Sequence, residues 1–164
     1  MDEVTMRKYD KIGRKHLAQL CNGKGLDVGC GELKIAENCI GVDLRTDAGA
    51  DRVADMRCLP WNDEQFDFVV SSHALEHTHF PIDVLKEWRR VLRVGGVVGV
   101  VVPHGEHVQS STLGHSSGGH YQLFTPRTLE IMLEHCGFTK VKSLEYARPY
   151  AWRETPAIFA TGTK

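Results

Sequence analysis

From Thr5 to Leu20, apolar side chains recur at Met6, Tyr9, Ile12, Leu17 and Leu20, with His16 on the same stripe. Recurrence every three to four residues marks one face of a helix, so the spacing predicts an amphipathic helix within residues 1–24. Asn22-Gly23-Lys24-Gly25 ends it, because glycine accepts the left-handed cap conformation. The period then shortens. Leu26-Asp27-Val28, Cys39-Ile40-Gly41-Val42, Arg52-Val53-Ala54 and Phe66–Ser71 read as four strands. Pro81 opens a helix whose Val84, Leu85, Trp88, Val91 and Leu92 share a face, and Gly95-Gly96 are expected to stop it. Val97–Val102 is almost unbroken apolar sequence, as expected of a parallel strand covered on both faces. Thr125-Pro126 supplies a cap and a first helical residue, and Leu129, Met132, Leu133 and Cys136 form the stripe of the helix that follows. Val141–Tyr146 and Ala157–Thr161 are expected to complete the sheet as an antiparallel pair.

Strand and helix alternate from Gly25 to Cys136, which predicts a single doubly wound α/β domain over residues 1–164 with a mostly parallel sheet of six or seven strands. In such folds ligands gather beyond the carboxyl ends of the strands, where the strand order reverses. Only seven residues, Glu32 to Asn38, separate the first loop from the second strand, so the crossover helix there is expected to be short or missing. Residues 103–124 break the rhythm. They carry His104, His107, His115 and His120 with little periodicity, and a long irregular stretch inside a compact domain predicts a functional loop, here a mobile lid.

Composition narrows the function. Twenty Lys plus Arg against twenty-one Asp plus Glu give a formal net charge of -1, which disfavours a general polyanion binder, nucleic acid included. The most apolar run, Val94–Val102, is too short to span a bilayer, and Met1–Leu20 has no apolar core of a secretory signal. Five cysteines without a Cys-x-x-Cys pair read as free thiols of a reducing compartment, so a cytoplasmic location is expected.

The candidate chemistry lies in Gly25–Leu44. Gly29 and Gly31 directly follow a strand, Asp27 precedes them, and Asp43 ends the next strand. A nicotinamide dinucleotide site would need a third glycine where Lys34 stands and a more distant acid than Asp43, so an NAD-dependent oxidoreductase is disfavoured. No Lys-Ser or Lys-Thr follows the glycines, so a P-loop is absent. Glycines let the backbone approach a ligand closely, and a carboxylate such as Asp43 can accept from two vicinal hydroxyls.

In order along the chain, Asp27-Val28-Gly29-Cys30-Gly31, the strand-ending Asp43, Asp55-Met56, Leu59–His77 and Val84–Pro103 resemble the class I S-adenosylmethionine-dependent methyltransferases, specifically a small type 11-like methyltransferase domain. The resemblance covers Leu26 to Phe138, with Glu32-Leu33 departing from the family's third glycine. It implies a Rossmann-like seven-stranded fold, S-adenosyl-L-methionine as cofactor, and a cofactor site of Asp27, Gly29, Cys30, Gly31, Asp43, Leu44, Asp55, Met56, Leu59 and Ser72. Asp27 would face the methionine ammonium, Asp43 the ribose and Asp55 the adenine, with Met56, Leu59 and Trp61 as apolar walls. Methyl transfer by in-line displacement needs alignment and, for a protonated acceptor, a base; His73, His104 and His120 are the candidates. His77 is read as structural or cofactor-adjacent. His73 and His77 stand four apart but within H-A-L-E-H rather than H-E-x-x-H, so no metal is expected. The acceptor is read as a small molecule, with a protein partner or a homodimer left open. A second reading is also open, a catalytically inactive cofactor-binding protein that acts through a partner.

Overall fold

The computed structural model describes residues 10–107, 119–150 and 153–164. Seven strands form one sheet in the order β3-β2-β1-β4-β5-β7-β6. They are β1 (Gly25–Val28), β2 (Cys39–Asp43), β3 (Arg52–Val53), β4 (Phe66–Ser72), β5 (Leu92–Pro103), β6 (Thr139–Tyr150) and β7 (Arg153–Thr163). β1 to β5 pair in parallel, whereas β7 runs antiparallel to both β5 and β6. The predicted doubly wound α/β architecture with an antiparallel terminal pair is therefore what the chain adopts. β6 and β7 extend well beyond the expected runs, because each supplies the other's ladder partners from Lys142↔Thr161 out to Tyr150↔Arg153.

Both faces of β4 are covered: Phe68, Val69 and Val70 alternate, and a register shift between Phe66 and Phe68 puts Phe66 on the side of Val69. Phe66 and Val69 join a core built with Leu85, Trp88 and Val91 of helix α2 (Pro81–Val91) and Leu129 and Leu133 of helix α3 (Pro126–His135). Phe68 and Val70 point to the other face, where Leu17 of helix α1 (Lys11–Ala18), Val101 and Phe159 pack. Among the described residues the expected N-terminal helix is seen from Lys11 to Ala18. Asp10 caps it by accepting from the Gly13 amide at 2.8 Å, and the stripe's Met6 and Tyr9 lie outside the described residues.

Helix α2 ends earlier than expected. Gly95-Gly96 do not stop α2; Leu92 is already extended and β5 runs through both glycines. The backbone groups there find strand partners instead: Leu92 pairs with Phe66, Gly95 N–H donates to the Lys164 carbonyl at 3.0 Å, and Lys164 N–H donates to Gly96 at 2.9 Å. A backbone with a ready ladder has no need of a glycine cap.

No helix links β1 to β2. The irregular segment Glu32–Asn38 is held by side chains reaching its backbone. Arg14 Nη2 donates to the carbonyls of Leu33 (2.8 Å) and Lys34 (2.6 Å), and the Ile35 amide donates to Asp27 Oδ2 at 2.6 Å. Ile35 and Ala36 fill the α1 face of the sheet, where a crossover helix would otherwise sit. Arg14→Ala is expected to lower stability by about 1 kcal/mol, the scale of a net hydrogen-bond loss, and to speed amide exchange at Ile35. Unchanged exchange at Ile35 in that variant would show that Arg14 does not hold the segment.

Candidate functional site

Strand order reverses between β1 and β4, and a pocket of about 640 Å³ opens there at the carboxyl ends of β1, β2 and β4. That volume lies within the range of small-molecule and cofactor sites. Gly29 and Gly31 form its floor with φ of +75° and +57°. A Cβ on Gly29 would stand 2.3 Å from Ala74 Cβ, so that position needs glycine for two separate reasons. The Gly29 and Cys30 amides both donate to the Val42 carbonyl, fastening the loop to β2.

Two carboxylates brace this loop from either side. Asp43 Oδ2 accepts from the Gly31 amide at 2.9 Å, while its Oδ1 accepts from the Arg45 amide at 3.0 Å and from Arg45 Nε at 3.3 Å. Asp27 is 1% exposed, and burial drives its pKa from the ordinary 3.8 up to about 6, against the pull of the Ile35 amide and the Arg14 charge. Asp55 lines the pocket as half of an exposed ion pair with Arg57 (2.7 Å), which holds its carboxyl below the usual range. Burial, with the nearby Asp27 and Asp43 charges, pushes the Cys30 thiol up to about 12, so it is a wall rather than a nucleophile. Leu44, Met56 and Ser72 also line the pocket.

Leu59 does not. It is buried in the α2 core, its amide donating to Glu87 Oε1 at 2.7 Å, and Trp61 packs edge-on against Phe66. An apolar residue near a binding loop serves equally well as core, and hydrophobicity alone cannot separate the two.

Of the histidines proposed as bases, His73 and His120 line the pocket and His104 lies outside it. His104 is 5% exposed; its Nδ1 accepts from the Glu106 amide and its Nε2 lies 3.5 Å from Glu145 Oε2. His73 has a φ of +55°, uncommon for a residue with a side chain, and sits between two acids. Its Nε2 is 3.2 Å from Asp10 Oδ2 and its Nδ1 is 3.4 Å from Glu76 Oε1. Asp10 also accepts from the Tyr146 hydroxyl. Burial raises the Asp10 pKa, but the bonds from His73, Tyr146 and Gly13 outweigh it and leave the carboxyl below its ordinary value.

Two pocket acids were not assigned from sequence. Glu76, in the one-turn 3-10 helix Leu75–His77, is 1% exposed and lies beside three histidines. Asp10 reaches the pocket from the cap of α1, and Arg14 lines it one turn later. The H-A-L-E-H stretch signalled Glu76, whereas nothing local in the sequence connects Asp10 to His73. Half of the expected lid, residues 108–118, lies outside the described residues; of the rest, Pro103 and His120 line the pocket.

Comparison with known proteins agrees with this geometry. Residues 21–100 match the methyltransferase domain family. The chain is 32% identical over 143 residues to ribosomal RNA-processing protein 8 of Caenorhabditis briggsae, covering 81% of this chain and 42% of that protein. It is 29% identical over 125 residues to demethylmenaquinone methyltransferase of Staphylococcus epidermidis, covering 60% of this chain and 52% of that one. It thus spans about half or less of the length of these relatives. In fold it matches the crystal structure of a SAM-dependent methyltransferase from Thermotoga maritima with a TM-score of 0.78 at 19% identity, over 98% of this chain and 91% of that one. No helix among the described residues is long and apolar enough to cross a membrane. With the strand order, the glycine loop between two acids and the family match all in agreement, the chain belongs to the class I S-adenosylmethionine-dependent methyltransferases.

Proposed function

We propose that the pocket binds S-adenosyl-L-methionine and that the chain transfers its methyl group to a small-molecule acceptor by in-line displacement. The observation that carries this reading is the convergence of Asp27, the Gly29-Gly31 floor, Asp43 and Asp55 on one pocket at the strand-order reversal. In this reading Asp43 accepts from the ribose hydroxyls, Asp27 faces the methionine ammonium, and Met56 supplies an apolar surface to the adenine. In the same reading His73 and His120, which line the pocket, are the candidates to take the acceptor's proton.

A small acceptor is favoured over RNA by the state of the basic run at the end of α2 and the start of β5. Arg90 is bound to Glu87 and Asp63 at 2.7 Å each, Arg93 to Asp67 at 2.7 Å, and Arg89 Nε donates to the Gly137 carbonyl at 3.1 Å. Arg90 and Arg93, each paired with a carboxylate, present less net positive field to phosphates.

The test is calorimetric binding of S-adenosylhomocysteine together with a screen of acceptor metabolites for its release from S-adenosylmethionine. Asp43→Ala is expected to weaken binding by about 1 to 3 kcal/mol, the scale of lost charge-assisted or buried hydrogen bonds. Equal affinities in wild type and a folded D43A would remove the ribose role. Tight binding with no turnover on any acceptor, nucleic acid included, would instead support the inactive, partner-directed reading.

A further inference from the structure

We propose that Glu76, His77 and His120 form a binding site for a divalent first-row transition-metal ion, with zinc, cobalt and manganese the fitting cations. One ligand atom from each residue lies within 4.8 Å of the others. Glu76 Oε1 stands 3.9 Å from His77 Nε2 and 4.0 Å from His120 Nε2. Bonds of about 2.0–2.1 Å to a tetrahedral ion place ligand atoms about 3.4 Å apart, so small side-chain rotations close the site. A set of two imidazoles and one carboxylate suits these ions and leaves coordination positions open.

Three further features single out this cluster. Glu76 is 1% exposed, yet its Oε2 has no hydrogen-bond partner among the described residues, a costly state for a buried carboxylate. His77 Nδ1 lies 3.2 Å from the Gly119 carbonyl; donation there fixes the tautomer that leaves Nε2 as a lone pair, the usual outer-shell arrangement of a ligating histidine. The Glu76 carbonyl accepts from the Tyr121 and Gln122 amides at 2.8 and 3.2 Å, which pins the backbone carrying His120 against the turn carrying the other two ligands. His73 Nδ1, at 3.4 Å from Glu76 Oε1, competes for the same oxygen but is tied to Asp10 on its other side.

All three residues also line the pocket of the glycine loop. If that pocket holds the methyl donor, as proposed above, the open positions are available to an oxygen or nitrogen of the acceptor, and with His120 on the ion the role of base falls to His73. The ion-binding proposal itself does not depend on turnover.

The experiment is a titration of the metal-free chain with Co²⁺, read by visible d–d absorption, and with Zn²⁺ by competition. Stoichiometric binding is expected, weakened more than about 100-fold by Glu76→Gln or His120→Ala, beyond the 10- to 100-fold of outer-shell changes. His107→Ala tests the neighbouring His104-Glu106-His107 cluster and is expected to leave binding unchanged. Circular dichroism and thermal melting verify the fold of each variant, and S-adenosylhomocysteine binding by the metal-free wild type, measured in parallel, separates failure of this site from failure of the cofactor reading. No binding by the folded wild type, binding that survives both E76Q and H120A, or binding lost in H107A would each overturn the proposal.

Discussion

Gly29→Ala is expected to destabilise the protein by about 2 to 5 kcal/mol and to weaken cofactor binding at least tenfold. Two costs combine. The backbone is left-handed at φ +75°, and a side chain there costs roughly 1–2 kcal/mol. The new Cβ would also lie 2.3 Å from Ala74 Cβ, a clash that must be relieved by moving buried structure, typically about 1–3 kcal/mol. Ala74 is 6% exposed and is followed directly by the turn carrying Glu76 and His77, so relief of the clash displaces the pocket wall. Ala74→Gly in the same chain removes the clash and keeps the strained φ, so the double variant is expected to recover the packing part alone. Chemical denaturation and calorimetry of G29A and G29A/A74G measure both. A G29A variant with wild-type stability and affinity would contradict the loop geometry.

The second large effect is a pH dependence set by Asp27. Its carboxyl has an ordinary pKa of 3.8 and one of about 6 in the folded chain, because burial disfavours its charge. The folded state therefore binds more protons than the unfolded one between those values. Stability from this group is highest below pH 3.8, falls as the pH rises, and is lowest above pH 6. The full difference is roughly 3 kcal/mol. Asp27→Asn removes the charge while its amide oxygen can still accept from Ile35, so the apo variant is expected to be more stable than wild type at pH 7. That gap should close toward pH 4. Cofactor affinity should move the other way: if the ionised carboxylate faces the ammonium, wild-type binding strengthens as the pH rises through about 6, while D27N binds weakly with no such step. A stability gap between the two proteins that stays constant from pH 4 to 7 would refute the assigned burial cost. Using the variant as reference matters, since Asp51, Asp55 and Glu87 have lowered pKa values and their contributions fade in acid.

Much of this site is written in local sequence. The period of apolar residues changes from helical to strand-like at Gly25, and the glycines and acids that build the pocket stand at the loop and strand ends where that change puts them. Asp27, Gly29, Gly31, Asp43, Asp55 and Met56 all meet at one pocket, because parallel strands carry their carboxyl ends to the same edge. The missing crossover helix was legible too, since chain length between two strands limits what can be built there.

Other features needed the assembled chain. Leu59 and Trp61 are apolar and close to Asp55 in sequence, but whether they face a ligand or the core depends on the position of α2, which places Glu87 against the Leu59 amide. The end of α2 at Val91 rather than at the glycines was decided by β4 and by Lys164, which offer Leu92–Gly96 a ladder.

The sequence by itself determined the layered fold and the glycine loop at its strand ends, because periodicity, turn residues and loop length act over a few residues. Only the tertiary structure decided which histidines face the pocket. His104 is turned toward Glu145, while His120 comes back to Glu76 from 44 residues away, and Asp10 reaches His73 across 63. The physical reason is that hydrogen bonding and charge pairing depend on distances of a few ångströms between segments remote in the chain, and those distances are set by packing on the sheet rather than by the neighbours in sequence.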